Sequence, residues 1–330
     1  MSTKTKNIII WSCFSAIFIL VAILGTIYDL QISKALADIS TGQYFTKNLF
    51  AIIGETIGEN ILYVLLVFSF GVLFFYLLKN PLNKKWLNLC LLIAMCFASV
   101  VICFYCLYNS LEHLSTHTNN SLDTFLSSTF GLISLLLFSI MVVGCAFVLI
   151  SKIKKENINY LWKWALLVIV LSALSNGIVQ GAKLVFDRTR YRAMVFSGDT
   201  DFQYYDYWFV FNKNKFSSVS PYAEDFFKSF PSGHTCAAAS SFFLILLPLF
   251  HPQTNNKKWK TIFWTFATSY TLLIALSRIV AGAHFFMDTF IGAFITIILT
   301  IIAYYLVKYF QNKQINKENL SIKRESRHGC

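Results

Sequence analysis

Ser277-Arg278-Ile279-Val280-Ala281-Gly282-Ala283-His284-Phe285-Phe286-Met287-Asp288 is the stretch that decides how this chain reads. Apolar runs lie on both sides of it, near 260–282 and 285–309, each long enough to cross a bilayer. A cation, an imidazole and a carboxylate are each costly in lipid without a partner, so their grouping marks a functional site. On a continuous helix His284 and Asp288 would share one face. There the carboxylate could hold one ring nitrogen and leave the other free to react. A histidine alone on an apolar helix is more often a satisfied core residue, so its neighbours must decide.

The rest of the chain confirms the solvent in which that stretch sits. Of 330 residues, 56% are hydrophobic and only 13% charged, too few to cover a water-soluble globule. The net charge of +12 does not point to nucleic acid. The Lys and Arg residues form short patches between apolar spans, where they act as orientation signals and attract anionic lipid. Seven cysteines (Cys13, Cys90, Cys96, Cys103, Cys106, Cys145 and Cys236) lie in apolar runs and Cys330 is terminal. Without a CxxC pair or a disulfide framework they read as small buried hydrophobes.

Eight spans are expected, near 8–28, 60–78, 86–107, 125–151, 161–184, 233–250, 260–282 and 285–309. The first is too long for a signal-peptide core and lacks a cleavage pattern, so it reads as an uncleaved helix. Lys4 and Lys6; Lys79, Lys84 and Lys85; Lys152, Lys154 and Lys155; Lys257, Lys258 and Lys260; and the basic tail all fall on one side. By the positive-inside rule that side, with both termini, is cytoplasmic. Segments 30–59, 108–124 and 185–231 then face outward. Tyr204, Tyr205, Tyr207, Trp208 and Phe209 suit an interfacial aromatic belt. His113 and His117, four apart, read as polar loop residues rather than a metal pair. The tail 311–330, with His328 and Cys330, reads as a mobile polar segment without an assigned role.

Two further polar groups stand at outer ends of spans. Lys183 and Arg190 are seven apart, two turns if the helix continues, and would point the same way toward an anion. Pro231-Ser232-Gly233-His234 opens the next span. Ser232 suits an N-cap, Gly233 permits close backbone approach, and helix-start amides can cradle a phosphate. Together these groups supply what phosphoryl transfer needs without a metal: a cationic clamp, amide donors, one attacking histidine and one proton donor.

Lys-x6-Arg, Pro-Ser-Gly-His and Ser-Arg-x5-His-x3-Asp, in this order, resemble the three motifs of the type 2 phosphatidic acid phosphatase superfamily. The resemblance covers about half the chain, and Tyr191 stands where the family usually has Pro. It implies that His284 is the nucleophile, that Asp288 orients it, and that His234 is the general acid. Lys183, Arg190, Ser232, Gly233 and Arg278 would hold the phosphate. Arg188 and Arg192, which flank the first motif, would touch a headgroup or a second phosphate, or serve at the membrane interface.

The expected protein is therefore an all-α polytopic transmembrane bundle of about eight spans with a six-helix phosphatase core. Residues 1–160 would carry N-terminal helices including an extra pair, 161–310 the catalytic core, and 311–330 a cytoplasmic tail. The expected activity is removal of a terminal phosphate, monoester or diphosphate, from a lipid at the outer face of a bacterial plasma membrane. No metal or organic cofactor and no nucleic acid is expected, and the partners are the lipid phosphate and membrane lipids. A lipid-linked phosphotransferase, and a transporter with a buried charge cluster, stand as alternatives.

Overall fold

In the computed structural model, residues 3–117, 121–199, 201–211 and 223–328 are described. Cys330 lies outside them. Twelve α-helices follow one another: α1 (Thr3–Leu36), α2 (Leu49–Ile57), α3 (Asn60–Lys79), α4 (Lys85–Ser115), α5 (Ser121–Ser127), α6 (Thr129–Ser151), α7 (Lys155–Phe186), α8 (Tyr191–Ser197), α9 (Ala223–Phe226), α10 (Gly233–Ala239), α11 (Lys257–Val280) and α12 (Phe286–His328). Ser240–Leu249 and Pro252–Thr254 form 3-10 helices, and among the described residues there is no strand. Among the described residues, seven stretches are long and apolar enough to cross a membrane: Ser15–Leu36, Leu49–Lys79, Lys85–Ser115, Thr129–Ser151, Lys155–Ser197, Lys257–Val280 and Phe286–Gln314. The protein is an all-α integral membrane protein.

The expected eighth span, 233–250, takes a different form. It is α10 followed directly by the ten-residue 3-10 helix Ser240–Leu249. The Ser241 hydroxyl donates back to Ala238 O at 2.7 Å, and Pro248 has no N–H to give, so the α-helical ladder is not sustained. The tighter coil rises about 2 Å per residue against 1.5 Å in an α-helix. The combined segment thus reaches about 30 Å, the thickness of bilayer hydrocarbon, with fewer residues than a regular span. At the carboxyl end, α12 continues to His328 where the sequence suggests a mobile tail.

Small residues put this segment at the centre. Cys236, Ala237, Ala238 and Ala239 are buried, and α3, α7, α11 and α12 all pack on α10. Without side-chain bulk, helix axes approach closely, which is how helices associate in lipid. Trp164 of α7 is buried and donates from Nε1 to Phe243 O at 3.0 Å, tying α7 to the 3-10 segment. Outward positions such as Phe130, Leu149 and Leu184 are exposed and face lipid.

The two ends of the bundle differ in chemistry. At one end Lys79 Nζ donates to Ile153 O at 3.0 Å, and Gln311 Nε2 to Leu249 O at 2.9 Å. At the other end, α1, α2 and α11, the turns after α2 and α7, and the start of α10 meet in ion pairs. Segment 30–59, expected as an outer loop, instead contributes α2 to this end. Gly54 makes that possible, because any side chain there would collide with Ser277 on α11.

Ala238→Leu, at a fully buried position, should lower stability by about 1–3 kcal/mol through overpacking. Leu184→Ala, at a lipid-facing position, should change it little. Thermal unfolding in detergent checks both, and equal shifts would contradict the central placement of α10.

Candidate active site

Local turns, rather than one continuous helix, build the site around His284. α11 ends at Val280, Gly282 takes a left-handed φ of +60°, and α12 starts only at Phe286. His284 therefore sits in the turn, and the expected shared helical face with Asp288 does not exist. Its Nδ1 bonds to Ser229 O instead. A carbonyl only accepts, so Nδ1 carries the proton and Nε2 keeps its lone pair. His284 is 1% exposed. Burial first, then the charges of Arg190, Arg278, Lys183 and His234, hold its imidazole well below the usual histidine range. It is a neutral ring with one basic nitrogen.

Asp288 acts one step away. Its Oδ2 accepts from the Ser229 hydroxyl and from Phe285 N at 2.9 Å, and its Oδ1 accepts from Arg188. It thereby fixes the residues on both sides of the imidazole without bonding to it. Arg188 also donates from Nη2 to Asp29 at 2.8 Å and from Nε to Asp206 O at 2.9 Å, and lies 4.2 Å from the Phe285 ring centroid. With 1% exposure and two carboxylate partners, Arg188 holds the scaffold together instead of reaching a headgroup.

The other motif residues converge on the same place. α7 stops at Phe186, because Asp187 adopts a left-handed φ of 40°, so Lys183 and Arg190 do not share one helix. Arg190 is instead the N-cap of α8, with its N–H donating to Phe226 O at 2.8 Å. Tyr191 is the first residue of α8, a position that suits Pro equally. Its ring fills a pocket between Phe202, at 5.6 Å, and Phe285, at 6.2 Å. Ser232 caps α10 by accepting from Thr235 N, and its own N–H donates to Asp288 O at 3.0 Å. Lys183 Nζ lies 3.4 Å from where a side chain on Gly233 would begin. Lys183, Arg190, Arg278 and His234 are all near enough for their charges to act on His284.

Several partners were not apparent from the sequence. Glu55 of α2 is buried and accepts from Arg278 Nη2 at 2.9 Å, with Arg192 Nη1 at 3.5 Å and His117 Nε2 at 3.1 Å beside it. His113 and His117, read as loop residues, thus face the site. Asp225 pairs with Arg190 at 2.9 Å and with Arg192, and accepts from Tyr44 Oη at 2.7 Å. The usable sequence signal was electrostatic: four arginines near one membrane face need carboxylates, and outer segments supply few. Of the aromatic residues 204–209, Tyr205 packs on Phe285 at 5.4 Å and Trp208 Nε1 donates to Thr26 Oγ1 at 2.9 Å. Tyr207 and Phe209 are the exposed pair.

Not every cationic donor is used. Among the described residues, Arg190 Nε, Arg192 Nε, Arg278 Nε and Arg278 Nη1 are buried without a hydrogen-bond acceptor. Buried guanidinium N–H groups are costly unless an acceptor reaches them, and a tetrahedral oxyanion presents several. The arrangement can therefore hold a phosphate beside a nucleophilic nitrogen.

Residues 162–312 match the family model of the PAP2 superfamily. This part of the chain belongs to that superfamily. Membership supports a phosphatase acting on phosphate esters. No curated protein and no solved structure matches the chain. The PAP2 segment includes every motif residue named above, whereas Asp29, Glu55, His113 and His117 come from the half that precedes it.

Asp225 lies outside the spans. Burial works to raise its pKa, but Arg190 and Arg192 outweigh it and hold the carboxyl well below the usual range. A carboxylate depressed on folding stabilises fully above its unfolded pKa, about 4, and that contribution is lost as pH falls toward the folded value. Wild type should lose Tm more steeply below about pH 4 than Asp225→Asn does. Parallel Tm curves would remove Asp225 from the charge balance.

Proposed function

We propose that the protein is a membrane phosphatase that removes a terminal phosphate from an amphiphilic lipid at the extracytoplasmic face through a phosphohistidine on His284. One observation carries the reading. The only ring nitrogen of His284 with a lone pair lies among cations whose buried donors still want an acceptor. Lys183, Arg190 and Arg278 would clamp the equatorial oxygens, with the Gly233 amide region and Ser232 beside them.

His284 Nε2 forms a bond to phosphorus as the bond to the leaving oxygen breaks, and His234 gives that oxygen a proton. Water then attacks phosphorus, the P–N bond breaks, and His234 takes the water's proton. Phosphate leaves and both imidazoles return to their starting state. Asp288 keeps Ser229 and Phe285 in place throughout, so it positions the nucleophile rather than sharing its proton.

In this reading, segment 161–310 is the catalytic core, residues 1–160 complete its wall, and the lysine-bearing end faces the cytoplasm. The end-on location of the charge cluster favours an enzyme over a transporter, whose site would sit near the midplane. An interfacial site lets the substrate's tail stay in the bilayer while its phosphate enters.

The purified protein should release inorganic phosphate from lipid phosphates in the presence of a chelator, and His284→Ala should cut turnover by at least about 10³-fold. Because neutral His284 persists at low pH, the acid limb of kcat/KM should lie below the ordinary imidazole value of about 6.5. Full turnover in His284→Ala, or loss of activity on chelation, would overturn the mechanism.

A further inference from the structure

We infer that Glu59, from the turn between α2 and α3 and outside the PAP2 segment, is the positioning residue that holds His234 as a proton donor. The inference rests on the phosphatase reading, in which His234 protonates the leaving oxygen. Its basis is the set of bonds around the His234 ring. Glu59 Oε1 lies 3.3 Å from His234 Nδ1, and Glu55 O lies 3.1 Å from Nε2. The Glu55 carbonyl can only accept, so Nε2 carries a proton, and a carboxylate at ion-pair distance from Nδ1 favours a second proton there, which makes the ring an imidazolium.

Glu59 is itself held in place. Tyr63 Oη donates to its Oε2 at 2.8 Å, and Asn109 Nδ2 approaches the same oxygen at 3.4 Å. Tyr63 comes from α3 and Asn109 from α4, so three helices fix the distance between carboxylate and ring. Such a carboxylate sets the orientation of a histidine and stabilises its charged form.

The remaining charges around His234 make this contact matter. Arg278 on α11, Lys183 on α7 and His113 on α4, its ring centroid 5.0 Å from that of His234, all oppose a positive ring, while His284 in the turn before α12 is neutral. Glu55 on α2 favours one, but its carboxylate is already engaged by Arg278 and Arg192. Glu59 is the carboxylate that touches the imidazole. A phosphate bound among those cations offsets their opposition, so the proton donor is charged when the substrate is in place. At the transfer step Nε2 releases its contact with Glu55 O and gives its proton to the leaving oxygen as the P–O bond breaks, while the Nδ1 proton stays beside Glu59. Glu59 keeps its own charge and bonds no substrate atom.

The test is Glu59→Gln in the full chain, which keeps the side chain's size and its bond to Tyr63 in reach while removing the charge. Two substrates are compared across pH: a long-chain alkyl phosphate, whose alkoxide leaving group needs a proton, and 4-nitrophenyl phosphate, whose leaving group does not. The expected result is a loss of about 10²-fold in kcat/KM on the alkyl phosphate with less than about fivefold on the aryl phosphate. The alkaline limb of the alkyl phosphate profile should move to lower pH, because the uncharged amide no longer favours the imidazolium. Equal losses on both substrates with an unmoved alkaline limb would show a structural role only and overturn the inference. So would an unchanged profile. If wild type hydrolyses neither substrate nor any lipid phosphate, the phosphatase reading itself fails, a result separate from any behaviour of Glu59→Gln.

Discussion

Burying guanidinium groups at a membrane face is the constraint on which the rest of this structure depends. Arg188, Arg190, Arg192 and Arg278 are each at most 6% exposed. Removing such charges from water costs several kcal/mol each unless carboxylates and hydrogen bonds replace the lost solvation. The chain meets that demand with Asp29, Glu55, Asp225 and Asp288, drawn from α1, α2, α9 and α12. Every one of those contacts joins segments far apart in sequence. The ion pairs therefore decide where the helix ends at that face must lie, while apolar packing around Trp164 and the small residues of α10 sets the bundle beneath them.

The balance is deliberately incomplete at one place. Arg188 has acceptors on two carboxylates and a carbonyl, and belongs wholly to the scaffold. Arg278 gives one nitrogen to Glu55 and retains two buried donors without acceptors. The arginines thus divide into those paired within the protein and those with buried donors that lack an acceptor. His284 stands among the second group with its proton fixed on the nitrogen that faces Ser229.

Much of this was legible in the sequence, and the parts that were not share a cause. Apolar runs gave the bundle because hydrocarbon thickness dictates span length. Segment 233–250 read as a regular span, but it forms α10 and a 3-10 helix, where Ser241 bonds back to Ala238 and Pro248 has no N–H to give, and packing on four other helices holds it there. The spacing of His284 and Asp288 suggested a shared helical face, but Gly282 turns the chain before α12 begins. The pairing of Lys183 with Arg190 over two turns failed for the same kind of reason, a left-handed residue at Asp187. Glu55 and Glu59 escaped notice because a short polar segment reads as a loop until a buried cation is seen to need it. The amino-terminal half accordingly is not a passive addition to the PAP2 segment: it supplies Asp29, Glu55 and Glu59, against which Arg188, Arg278 and His234 are set.

The most direct measurement is a structure of the purified protein soaked with orthovanadate, which adopts the five-coordinate geometry of phosphoryl transfer. The expected result is vanadium bonded to His284 Nε2, with His234 on the opposite, leaving-group side and Lys183, Arg190 and Arg278 donating to the equatorial oxygens. Vanadate bound elsewhere, or bound with His234 and His284 unable to flank it, would contradict the convergence of the three motifs on one phosphorus atom.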